Sequence, residues 1–170
     1  MTDSNNKKCC GGSGFACPIT GFSLCCKPQI IIGMVIMAVW FTVVAWVWHG
    51  MIMADMYQQT ANLWRPHPEM QSMLGWLNGG IILMAVIAAI IFKAGFTNTG
   101  WREGLRFGIL FTLLVTGVMM ITYATQPVPA KILQMWVIGD FISYAGGGIL
   151  LSFWYGRKSC CKGDDTSCEA

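Results

Sequence analysis

Four uninterrupted apolar runs, each close to the roughly 20 residues that a helix needs to cross a bilayer, dictate what this chain can fold into. They cover 29–54, 74–92, 107–124 and 132–155. Only helices and closed barrels satisfy their backbone groups in lipid, and runs that are apolar throughout, without alternation, read as helices. Composition supports this. Charged residues make up 11% of the chain and hydrophobic ones 55%, whereas a soluble domain carries about 25% charge. So little charge does not cover a water-facing surface of this size. The expected fold is all-α, an integral membrane four-helix bundle embedded in a lipid bilayer. The first run does not read as a secretory signal: it begins at position 29 and is longer than the apolar stretch of about 7–15 residues in a signal peptide.

Three regions follow. Residues 1–28 form a Cys-rich N-terminal tail, 29–156 the transmembrane domain, and 157–170 a second Cys-containing tail. Four spans put both termini on one side. Of the eleven Lys and Arg residues, all but Arg65 and Lys131 lie on that side, in the tails and in the short connection between spans two and three. Positive charge marks the cytoplasmic side, so the expected location is the cell (inner or plasma) membrane with both tails cytoplasmic. Trp46, Trp48, Trp64, Trp76 and Trp136 gather near the opposite ends of the spans, as an aromatic belt does. The net charge of +3 is dispersed, with no basic stripe of the kind that grips nucleic acid.

All eight cysteines lie in the tails: Cys9, Cys10, Cys17, Cys25, Cys26, Cys160, Cys161 and Cys168. In a reducing compartment such a pattern points to metal binding or reactivity more than to disulfides. Thiolates are soft ligands, and the ions they select belong to the Cu(I), Zn(II) or Hg(II) class. The candidate metal ligands are the vicinal pairs Cys9–Cys10, Cys25–Cys26 and Cys160–Cys161. Neither a C-x-x-C nor a Cys/His zinc spacing is present. Two other readings stay open: tails without a specific role, and acylation of the juxtamembrane cysteines.

A second constellation lies inside the membrane. Asp140 is the only acidic residue within a span, roughly 13 Å from the end marked by Lys131 at helical rise. An ionisable group at that depth is a functional-site hypothesis by default. Beside it, Gly139, Ser143 and Gly147 make a small-residue face suited to close helix packing. Asn78 belongs at a similar or shallower depth on the second span. On the first, Ala38, Thr42, Ala45, His49, Met53 and Met56 share one face, which places His49 toward the interior. His49, Asn78 and Asp140 are therefore expected to form a polar site in the outer half of the bundle. Methionines crowd the same end and can serve as soft ligands or as gap-fillers. A weak repeat relates GWLNGGIILM of the second span to WVIGDFISYAGGGILL of the fourth.

The segments TANLWRP at 60–66 and EGLRFGIL at 103–110, with a proline pair before a Trp-containing last span, are quoted from the stretch 57–155. That stretch resembles an uncharacterised family of small multi-span bacterial membrane proteins. The resemblance implies the architecture and no activity, and the Cys-rich tails lie outside it. Vicinal cysteines near the mouth of a small membrane protein are also similar to those of bacterial mercury importers. Here, however, the pairs flank the spans and none lies inside one.

The expected function is binding or transport of a soft metal or metalloid ion with cytoplasmic thiols as acceptor. The alternative is a non-catalytic accessory or assembly subunit of a larger membrane complex, with a homo-oligomer or another membrane protein as partner. An enzyme is not expected, since no nucleophile–base pair or phosphate-binding glycine loop is visible. A thiol–disulfide enzyme would need its cysteines on the opposite face.

Overall fold

The computed structural model describes residues 27–157, and all regular structure among them is helical. Helix α1 (Lys27–Val47) continues into a π-helical turn at Trp48–Ile52. The connection that follows contains α2 (Ala54–Gln59), a 3-10 turn at Ala61–Leu63 and α3 (His67–Ser72). Three long helices complete the chain: α4 (Leu74–Gly95), α5 (Trp101–Thr125) and α6 (Ala130–Arg157). Four stretches are long and apolar enough to cross a membrane: Pro28–Ile52, Leu74–Gly95, Trp101–Thr125 and Ala130–Gly156. The chain is thus an all-α bundle of four such helices, as an integral membrane protein requires. The end carrying residues 27 and 157 is the terminal end below, and the opposite one is the distal end.

The third long helix starts at Trp101, six residues before the apolar run expected at 107. Glu103 is the physical reason. From the first turn of α5 its carboxylate accepts hydrogen bonds from the Thr97 backbone N–H at 2.5 Å and the Thr99 backbone N–H at 3.1 Å. It also accepts both threonine hydroxyls. A carboxylate at a helix start satisfies free N–H groups and opposes the helix dipole. The chain reverses through Asn98 and Gly100, at φ 63° and 89°, a left-handed region that Asn and Gly adopt most readily.

Helices α5 and α6 pack most closely. A Cβ at Gly104 would overlap the Gly148 carbonyl, and one at Gly108 would overlap the Ala145 Cα. The small-residue face of α6 receives α1: Trp48 lies against Gly139, Trp40 against Gly146, and Met37 against Gly147. Indole donors stitch this seam along its length. Trp48 Nε1 donates to the Met135 carbonyl at 2.9 Å, Trp40 Nε1 to Ser143 at 3.0 Å, and Trp154 Nε1 to Gln29 at 3.2 Å.

The core occupies the terminal half. Phe41 and Phe111 pack on Tyr144 with ring centroids 5.0 and 5.4 Å away, and Phe92 meets Phe107 at 5.1 Å. The buried residues of α4 are Ala85, Ala88, Ala89 and Phe92, and those of α5 are Gly104, Gly108 and Thr112. All lie toward the terminal end, so the distal halves of α4 and α5 add only partly buried side chains, Ile81 and Val115, to the edge of the core. At the distal end a smaller cluster of Met53, Val128 and Ile132 is covered by Trp48, Tyr57, Trp64 and Trp136. This cluster fastens the α1–α4 connection over the ends of α1 and α6. Thr42, Thr112, Thr116, Ser143 and Ser152 each donate to a carbonyl four residues back in their own helix, whereas Asp140 Oδ2 and the Tyr155 hydroxyl are enclosed without a partner.

Candidate functional site

The distal connection holds the most organised polar group among the described residues. The π turn sets it up. Along α1 the buried face is Gly33, Met37, Phe41 and Val44, and the wider turn at Trp48–Ile52 then shifts the register, so that Met53 is fully buried while His49 is exposed. π turns of this kind are frequent at functional sites. The stripe through Ala38, Thr42 and Ala45 lies half-buried at the edge of the packed face, not at its centre. The expectation that His49 points into the bundle is corrected accordingly: an α-helical stripe does not survive the extra residue per turn.

His49 instead faces the connection. Its ring stacks at 6.1 Å on Tyr57, and its Nδ1 lies 2.7 Å from the Tyr57 hydroxyl. Trp136 Nε1 donates to that hydroxyl at 2.8 Å. A phenol has one proton to give. The hydroxyl accepts from Trp136, and its single proton goes either to His49 Nδ1 or to Met53 Sδ at 3.6 Å, the choice being set by the His49 tautomer. Burial pushes the Tyr57 hydroxyl above its usual range, opposed by the Trp136 hydrogen bond, so the phenol stays protonated in ordinary buffers. Trp64 closes the group, edge-on to Tyr57 at 5.3 Å, with its indole N–H on Thr60 Oγ1 at 2.9 Å.

Beside this chain of hydrogen bonds lies a pocket of about 510 Å³, lined in part by His49, Tyr57, Arg65, His67, Met70 and Leu77. Its size is within the range of ligand sites. None of its lining residues is acidic.

The other intramembrane candidates do not join His49. Asn78 donates to the Leu74 carbonyl of its own helix at 2.8 Å. Asp140 is half-buried one turn from Tyr144, and its Oδ2 is enclosed without a hydrogen-bond partner. No hydrogen bond links any two of His49, Asn78 and Asp140 among the described residues. The three were expected to meet on depth alone. Depth leaves rotation about each helix axis free, and rotation separates them here. The glycines that suggested a repeat also behave differently: nothing approaches Gly79 or Gly80, whereas Gly139 and Gly146 seat indoles.

No group of three or more His, Cys, Asp or Glu able to hold a metal occurs among the described residues. The candidate ligands Cys9, Cys10, Cys25, Cys26, Cys160 and Cys161 all lie outside them. Sequence reasoning missed Tyr57 and Trp136, which are 79 positions apart. The distal tryptophans read as an interfacial belt, and nothing in the pattern marks one of them as a donor to a phenol. Comparison of the chain with protein-family models, with curated proteins and with solved structures gives no match.

Proposed function

We propose that this is a multi-pass protein of the cell membrane that binds a soft metal ion through Cys25, Cys26, Cys160 and Cys161 at its cytoplasmic face. Cys9 and Cys10 are further donors. One observation carries the reading: Trp154 near the end of α6 donates to Gln29 near the start of α1, so the two helices end side by side. Cys26 directly precedes Lys27, and Cys160 follows Arg157 by three residues, a reach of at most about 11 Å of extended chain. The described helix ends that precede and follow the two vicinal thiol pairs are therefore adjacent, which supports a shared site of up to four thiolates for one ion. Thiolate ligation suits Cu(I), Zn(II) or Hg(II).

The reduced, purified protein should bind such an ion with submicromolar affinity, and replacing the four cysteines by Ser should abolish binding, because a hydroxyl is a poor ligand for soft cations. Undiminished binding by that variant refutes the site. Orientation has its own test. A membrane-impermeant maleimide should label Cys9 and Cys168 only in opened cells, and labelling of intact cells would reverse the topology.

An accessory subunit is the second reading, and the sparse polar interior among the described residues favours it over a transport path. Every buried Ser and Thr there is satisfied within its own helix, and the unpartnered buried oxygens are Asp140 Oδ2 and the Tyr155 hydroxyl. Kinship of residues 57–155 with the small bacterial membrane proteins they resemble is proposed on the same footing, and it adds no activity.

A further inference from the structure

The pocket at the distal end has a chemistry of its own, independent of the cysteines. Its only formally charged side chain is Arg65, and its titratable neighbours are the imidazoles of His49 and His67. With no carboxylate on its walls, it is electropositive and holds hydrogen-bond donors. The Trp136–Tyr57–His49 chain holds one of these imidazoles in place, through the Tyr57 hydroxyl 2.7 Å from its Nδ1. The other wall is apolar. Leu77 and Met70 line it, and beyond Leu77 the outward face of α4 continues through Leu83 and Met84, all three large, exposed hydrophobics. Trp76 on the same helix is 82% exposed, a position that suits an indole at the head-group level of a bilayer. One end of the pocket thus meets water with basic groups, and the other opens onto the lipid-facing side of a helix.

We propose that this pocket binds the phosphate head group of an anionic phospholipid from the distal leaflet, with the acyl chains lying along the exposed face of α4. Charge complementarity selects the head group, because Arg and imidazole donors match phosphate oxygens. Basic pockets between membrane helices are used in this way for lipid head groups. Continuity with the apolar face of α4 selects a lipid over a free anion. A soft cation is disfavoured, since it would sit beside the Arg65 guanidinium with no anionic ligand to offset it.

The test compares dioleoylphosphatidylglycerol with dioleoylphosphatidylcholine, each added to the purified full-length protein in mild detergent, with lipid adducts counted by native mass spectrometry. Phosphatidylglycerol should be retained about tenfold better, because both lipids offer the phosphate but the choline of phosphatidylcholine brings a cation beside Arg65. In the Arg65→Gln/His67→Gln variant the two lipids should be retained to within about a factor of two of each other, since its charge contacts are gone. Both residues are exposed, so the variant should melt as the parent does. Excess inorganic phosphate should leave the bound lipid in place, because the acyl chains hold part of the affinity. Equal retention of the two lipids by the parent overturns the proposal. So does a preference that survives in the double variant, which would put the lipid elsewhere. Release by inorganic phosphate overturns the lipid as occupant and leaves a simple anion site.

Discussion

Glycine packing between α5 and α6 offers the most direct test of the bundle. In Gly104→Ala the new Cβ meets backbone atoms of Gly148 and Ile149, and in Gly108→Ala it meets the Cα and N of Ala145. Backbone does not move aside as the tip of a side chain would, so the two helices must separate. Overpacking of this kind costs about 1–3 kcal/mol. Close approach of small residues is also a main source of affinity between helices in lipid, where no hydrophobic effect drives them together. Gly117 lies on the same helix with nothing within 4 Å of its would-be Cβ. There Ala improves helix propensity and is expected to be neutral or to stabilise by up to about 1 kcal/mol. The three variants share one chemical change, so their differences report packing alone. Unfolding of the purified protein by SDS titration, followed by circular dichroism, should place Gly104→Ala and Gly108→Ala below the parent and Gly117→Ala level with it or above. Three equal midpoints would refute the close seam between α5 and α6.

Other positions give separate readings. Tyr57→Phe removes the acceptor of the Trp136 indole and the hydrogen-bond partner of His49 Nδ1; it should cost about 1–3 kcal/mol, the penalty for a part-buried donor left unmet, and Trp136→Phe in the same chain should recover part of it. Thermal melts in detergent measure both, and additive losses would argue against the hydrogen bond. Glu103→Ala removes all four bonds that hold the 97–100 turn and should destabilise by about 1–2 kcal/mol. Glu103→Gln should recover less than half of that, because an amide nitrogen cannot accept from the Thr99 N–H. For Asp140, whose Oδ2 is enclosed without a partner, Asn should be nearly neutral, and Leu should stabilise by about 1 kcal/mol through loss of an unmet polar atom in the membrane. A clear loss of stability in the Leu variant would mean that Asp140 has a partner in the membrane.

The long helices were legible because bilayer chemistry acts on composition, and composition survives any error of register. Their ends were less so. The start of α5 depends on Glu103 reaching back to Thr97 and Thr99, a contact set by loop geometry rather than by apolar count. The small-residue face of α6 was read correctly as a packing surface, since Gly139, Ser143 and Gly147 keep helical spacing along an unbroken helix. His49 failed by the same logic: its stripe was drawn through a π turn that no residue pattern announces, and one added residue per turn rotates everything beyond it. Asn78 and Asp140 show the remaining gap. Depth in the membrane follows from counting residues, whereas rotation about a helix axis is settled only by the neighbours.

The division of the molecule into two ends constrains what its chemistry can be. Aromatic and small residues fill the terminal half, and no polar file crosses it. The proposed thiol site emerges beyond that half, where α1 and α6 are bound by Trp154 and Gln29. The His49–Tyr57–Trp136 group lies beyond the other end, held by the cluster around Met53. An ion at one end would have to cross packed Phe and Tyr rings to reach the other, with only isolated oxygens such as Asp140 Oδ2 and the Tyr155 hydroxyl on the way to offset the desolvation penalty. Coupling between the ends would therefore have to pass through helix packing, and α1 and α6 both take part in each end. Helix α1 touches Tyr155 through Gly33 and Tyr57 through His49, and α6 holds Gln29 through Trp154 and Tyr57 through Trp136. Any signal from metal at the thiols to the distal pocket would have to travel along one of these two helices, and along α1 it would pass the π turn, the point where its backbone bonding pattern changes.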